Sequence, residues 1–156
     1  MKKQKILVTL IIYLNAVVLS ISAIAKAISA SSEGALLAVS DPLFAALTNR
    51  QVMLGVALLE GICIACLLIG KSLRIKALML MWLTSAFALY KIGLHLIDFR
   101  GYCACLGNLF HWAGISTEMA SRISLWLLIS LITSSCMLLI ISFTLEPKKL
   151  ELAVSQ

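Results

Sequence analysis

Apolar residues fall into four long runs, 6–28, 51–69, 77–97 and 119–145, separated by shorter polar segments. One bilayer crossing takes about 20 apolar residues in a helix, and each run is long enough for one. None alternates with period two, and β-barrel spans would be shorter as well as alternating. The pattern predicts an all-α, integral membrane four-helix bundle in up-down order, since short connections join antiparallel neighbours. Pro42 and Pro147 lie outside the runs, so proline breaks none of the expected helices. With 156 residues and no internal repeat or Gly/Ser linker, a single membrane domain covering 1–156 is expected.

Composition agrees with the pattern. The chain is 62% hydrophobic and 13% charged, with a mean hydropathy of +1.05, whereas soluble domains carry about 25% charged residues. The formal charge of +6 is informative by position, and it is no nucleic-acid footprint. Lys2, Lys3 and Lys5, then Lys71, Arg74 and Lys76, then Lys148 and Lys149 fall on one side of the expected bundle. The other side has Arg50, Arg100 and Arg122. Basic loops stay in the cytoplasm, so both termini are expected inside. Lys2, Lys3 and Lys5 followed by an apolar run and Ala23-Ile24-Ala25 also look like a signal peptide with its cleavage site. The run exceeds the roughly 7–15 residues of such a segment, and an uncleaved first helix is expected.

The first outer connection contains Asp41-Pro42 before Leu43-Phe44-Ala45-Ala46-Leu47. Asp at the N-cap and Pro at the first position start helices, which predicts a short interfacial helix there, lying as a lid over the bundle. The second outer connection carries Cys103 and Cys105, bracketed by Gly101 and Gly107, with Arg100, His111 and Trp112 nearby. A disulfide between cysteines one residue apart closes a small strained ring, and strained disulfides exchange readily. An outward position is also where disulfides persist. The pair is the first candidate for chemistry, as a thiol–disulfide oxidoreductase whose partner is a thioredoxin-like or substrate protein on the outer side. Two other readings of the same residues stand beside it. Cys103, Cys105, His95 and His111 could bind copper or zinc, although their spacing matches no standard zinc signature; or the disulfide only stiffens a loop.

Charges inside the runs mark function or a partner. At about 1.5 Å per residue, Lys91 lies roughly 10 Å and Glu60 roughly 15 Å below the outer surface, a difference a lysine side chain bridges; the two are expected to pair. Lys26, near the outer end of its helix, is expected to snorkel outward. Glu60, Lys91 and His95 would then serve charge and proton balance. Cys63 and Cys66 form a C-x-x-C inside the second run, with no helix N-terminus to activate a thiolate; core packing is their expected role. Phe87, Tyr90, Trp82 and Met79 or Met81 could line a cleft for a membrane quinone, or simply pack. No Gly-rich phosphate loop or Ser/His/Asp pattern occurs, which argues against nucleotide enzymes and hydrolases.

Four spans and Cys103-Ala104-Cys105-Leu106-Gly107 before the last of them resemble the MauE/DoxX-type redox-associated membrane proteins. Lys26, Glu60 and Tyr90-Lys91 are similar to that group as well, and the likeness runs over residues 6–145. MauE is linked to methylamine utilisation, where it is thought to assist disulfide formation in a periplasmic dehydrogenase subunit. The resemblance implies that Cys103 and Cys105 are the redox pair, that a separate soluble partner exists, and that the chain resides in a bacterial inner membrane.

Overall fold

The computed structural model describes residues 2–31, 35–97 and 117–154. Helices α1 (Lys2–Ser31), α2 (Ala35–Ala38), α3 (Asn49–Ile69), α4 (Leu73–Leu96) and α5 (Thr117–Val154) follow one another. Among the described residues no strand occurs, and one isolated β-bridge joins Ser40 to Thr48. Four helices contain stretches long and apolar enough to cross a membrane: Ile6–Ser31, Asn49–Ile69, Leu73–Leu96 and Ser121–Thr144. Of an 18-residue window within each stretch, between 22% and 28% is buried inside the protein. The rest presents large apolar side chains such as Leu14, Leu58, Leu89 and Trp126 to the surroundings. A surface of that composition is matched by lipid, the environment expected of an integral membrane protein.

The main contacts run α1–α3, α3–α4, α4–α5 and back to α1, with α1 on α3 and α4 on α5 the most extensive. That closed ring is the expected up-down bundle. Its two halves differ. Toward the α3–α4 turn, Leu19, Cys63, Leu67, Ala77, Leu80, Leu83, Leu131 and Leu138 form the packed core. Ser134 Oγ donates to Asn15 Oδ1 at 2.8 Å and ties α5 to α1. Arg74 lies over the Phe143 ring, 4.9 Å from its centroid, and ties the start of α4 to α5. The turn itself is tight: Gly70 N donates to Cys66 O at 2.9 Å, and a Cβ at Gly70 would collide with that carbonyl.

At the opposite end, Thr48 starts α3. Its hydroxyl accepts from Gln51 N, and Gln51 Oε1 accepts from Thr48 N at 2.9 Å, a reciprocal capping box. The helix therefore begins at Asn49, two residues before the apolar run. The short helix expected after Asp41-Pro42 is a correction: 41–48 is a turn, and the helix of this connection lies earlier, at Ala35–Ala38. Asp41 does act as a cap would, its Oδ1 accepting from Leu43 N and Phe44 N at 2.9 Å. The chain then folds back. Leu47 N donates to Phe44 O, Asp41 N to Leu47 O and Asn49 N to Val39 O, so the backbone closes a compact loop instead of extending a helix.

In lipid, an interior leucine contributes packing more than water exclusion. Leu80→Ala at the fully buried core position is expected to lower stability by about 2 kcal/mol, the lower end for such truncations. Leu10→Ala, on the 63% exposed lipid face, should change it by less than about 0.5 kcal/mol. Unfolding of both variants in mixed micelles checks the difference.

Candidate functional site

The half of the bundle beneath the 39–49 loop is hollow. A cavity of about 790 Å³ lies between the four long helices, within the ~300–1,000 Å³ range of small-molecule sites. Its wall is mostly apolar, with Val56 and Leu59 from α3, Ala86 and Phe87 from α4, and Leu127 and Leu128 from α5. Leu43, Phe44 and Leu47 of the loop also line it. The loop is held there by three contacts to α4. Tyr90 Oη donates to the buried Asp41 Oδ2 at 2.7 Å. The Phe44 and Tyr90 rings stack with centroids 6.2 Å apart. The Leu43 side chain packs over Gly93, its Cδ1 lying 2.9 Å from where a Cβ on that glycine would be.

Glu60 and Lys26 both line the cavity and are almost wholly buried. Lys26 Nζ donates to Glu60 Oε1 at 2.7 Å. Ser22 Oγ, one turn below on α1, donates to the same oxygen at 2.8 Å and accepts from Lys26 Nζ. The Phe87 ring lies 5.5 Å from the ammonium, within cation–π range. Glu60 Oε2 has no hydrogen-bond partner among the described residues.

Two expectations are corrected here. Glu60 pairs with Lys26 and not with Lys91, and Lys26 is buried where snorkelling was expected. Depth alone had suggested the Lys91 pairing, but α3 packs chiefly on α1, and Lys91 belongs to the α4–α5 contact. There Lys91 Nζ donates to Ser124 Oγ and to the Ser121 carbonyl oxygen at 3.2 Å. Lys91 and Glu60 thus line one cavity without meeting.

The remaining candidates separate. His95 is exposed and lies outside the cavity wall. Of the aromatic and methionine stripe, Phe87 and Tyr90 line the cavity, Trp82 points outward at 57% exposure, and Met79 packs against the core. The Met81 sulfur accepts from Ser135 Oγ at 3.5 Å. Cys63 is a core thiol, while Cys66 and Cys136 are half-buried, and all three are free. Cys103, Cys105 and His111 lie outside the described residues. The segment that carries them joins α4 to α5, and both helices contribute to the cavity wall, Gly93 near the end of α4 and Ser124 near the start of α5. Among the described residues no three His, Cys, Asp or Glu side chains form a metal-binding group.

Sequence reasoning missed Asp41–Tyr90 and Lys26–Glu60 as contacts, although it singled out each of the four residues. Comparison with protein families, with curated proteins and with solved structures finds no match.

Breaking a buried ion pair by removing one partner leaves an uncompensated charge, at about 3–5 kcal/mol, whereas replacing both with apolar residues is often neutral. Lys26→Met or Glu60→Leu alone is therefore expected to be strongly destabilising, and the double variant to recover most of the loss. A Lys91→Met/Glu60→Leu combination should show no such recovery, and thermal unfolding of the set in detergent distinguishes the two pairings. Tyr90→Phe strands a buried carboxylate oxygen, a loss of about 1–3 kcal/mol. Thermal unfolding in detergent checks this loss as well.

Proposed function

We propose that the protein is a thiol–disulfide redox protein of the bacterial inner membrane, with both termini cytoplasmic and Cys103 and Cys105 as its exchanging pair. What supports this reading is a convergence. Of the residues behind the MauE/DoxX-like resemblance, Lys26 and Glu60 form one buried pair, and all of Lys26, Glu60, Tyr90 and Lys91 line one cavity. That cavity lies at the end of the bundle where the Cys103–Cys105 segment connects α4 and α5. The flanking lysines and arginines put this end outside by the positive-inside rule.

In the proposed exchange, the Cys103 or Cys105 thiolate attacks a disulfide of an outer partner protein, forming a mixed disulfide and releasing one partner thiolate. The second cysteine of the pair then attacks its neighbour's sulfur, closing the Cys103–Cys105 disulfide and releasing the partner's second thiolate. Two electrons pass to the partner, and each released thiolate takes up a proton given up by the pair. Run in reverse, the same steps oxidise a partner dithiol, the direction needed for maturing a secreted protein. Methylamine metabolism is one setting for such a step, and a membrane quinone is one two-electron acceptor that would regenerate the disulfide.

The experiment is a redox titration of the pair by thiol alkylation in membranes equilibrated with graded glutathione buffers. A midpoint between about −120 and −270 mV is expected, with loss of partner exchange in Cys103→Ser and Cys105→Ser. A disulfide that stays closed below about −300 mV would make it a structural staple and end the redox reading. Cysteines that never oxidise, together with zinc or copper in the purified protein, would favour metal binding.

A further inference from the structure

We propose that the cavity beneath the 39–49 loop is a binding site for a single-chain anionic amphiphile, whose head group is held by Lys91 and whose tail occupies the apolar interior. Among the described residues, the acidic and basic side chains lining the cavity are Lys26, Glu60 and Lys91. Lys26 and Glu60 pair with each other at 2.7 Å. Lys91 is left as a cation whose described partners, Ser124 Oγ and the Ser121 carbonyl, are both neutral. An ammonium group has three donors, so one remains for a ligand.

An uncompensated cation within a membrane span is costly, and such residues mark ligand or ion sites. Among ligands, only an anion balances that charge. A neutral alcohol or a quinone accepts a hydrogen bond from Lys91 but leaves the charge unbalanced. Position agrees with the chemistry. Lys91 lies about one and a half turns from the end of α4, roughly 7–8 Å along the axis, which suits a head group near the interface. Below it, Leu83, Leu127 and Leu131 continue the wall toward the packed core, and a volume of about 790 Å³ accommodates an alkyl chain. The loop residues Leu43 and Phe44 add apolar surface at this end of the cavity. A fatty-acid carboxylate and an alkyl phosphate share this chemistry.

The test uses the full chain in a non-ionic detergent, with dodecanoate, dodecyl phosphate, dodecanol and a short-chain quinone compared at equal mole fraction by native mass spectrometry. Mildly alkaline buffer keeps the carboxylate ionised. A charge-assisted hydrogen bond contributes about 1.5–3 kcal/mol, so dodecanoate or dodecyl phosphate should bind at least about tenfold more tightly than dodecanol. Preference between these two identifies the head group. Lys91→Met should bring the ratio to dodecanol close to one, and Lys91→Arg should keep it. Because dodecanol binding reports the intact cavity, its persistence in Lys91→Met separates loss of the head-group contact from loss of the fold. Equal binding of dodecanol and both anions, tighter binding of the quinone, or a ratio unchanged in Lys91→Met would each overturn the proposal. None of these readouts depends on the redox state of Cys103 and Cys105, so the site and the exchange reaction stand or fall separately.

Discussion

The bundle is organised by the need to give one carboxyl group polar partners where it has no exposed surface. Glu60 lies midway along a membrane helix with no exposed surface. Lys26 supplies a full countercharge, Ser22 a second donor and Phe87 a polarisable face for the ammonium. Each of these contacts demands a particular neighbour: Ser22 and Lys26 fix the register of α1 against α3, and Phe87 draws in α4. Hydrophobic burial cannot supply this specificity, because lipid tails are as apolar as the side chains that face them. In such a solvent, a few polar contacts decide which helices meet and at what height.

A second consequence is the contrast between the two halves. Toward the α3–α4 turn, leucines and small residues fill the space between helices, and Asn15–Ser134 adds a polar tie. Toward the other end, the ion pair props the wall and a loop closes the space that side chains do not fill. That loop is tied down at both ends of one side chain. Asp41 spends one carboxylate oxygen on its own backbone and the other on Tyr90, so the residue that shapes the turn also fastens it to α4.

Much of the fold was legible because length and hydropathy suffice to define spans in lipid, and loop length then fixes their alternation. The edges were less so, although the signals were present: Thr48 and Gln51 have the spacing of a capping box, and they move the start of α3 to Asn49. Asp41-Pro42 has the residue types that start a helix, and Asp41 does cap the backbone that follows it; the chain then folds back, with Ser40 bridged to Thr48, and no helix continues. Within the site, Glu60 and Lys91 were found by the cost of burying charge, and both do line the cavity. Their partners were not found, since depth along a helix axis says nothing about which helix lies alongside. Lys26 was misjudged for the same reason: a lysine near a helix end can reach water, unless a carboxylate on the neighbouring helix offers a better alternative.

The Lys26–Glu60 pair also bears on how the chain enters a membrane in the first place. Its members are 34 residues apart, so Lys26 leaves the ribosome before its acidic partner does. During that interval Lys26, near a helix end, has the interface within reach. Glu60, midway along its own helix, has no such refuge and meets its countercharge only if α1 is already waiting in the bilayer. Assembly is thereby given an order: the first helix acts as the receptor for the third, and a chain whose first helix is missing or reversed would be left with an acid it cannot bury.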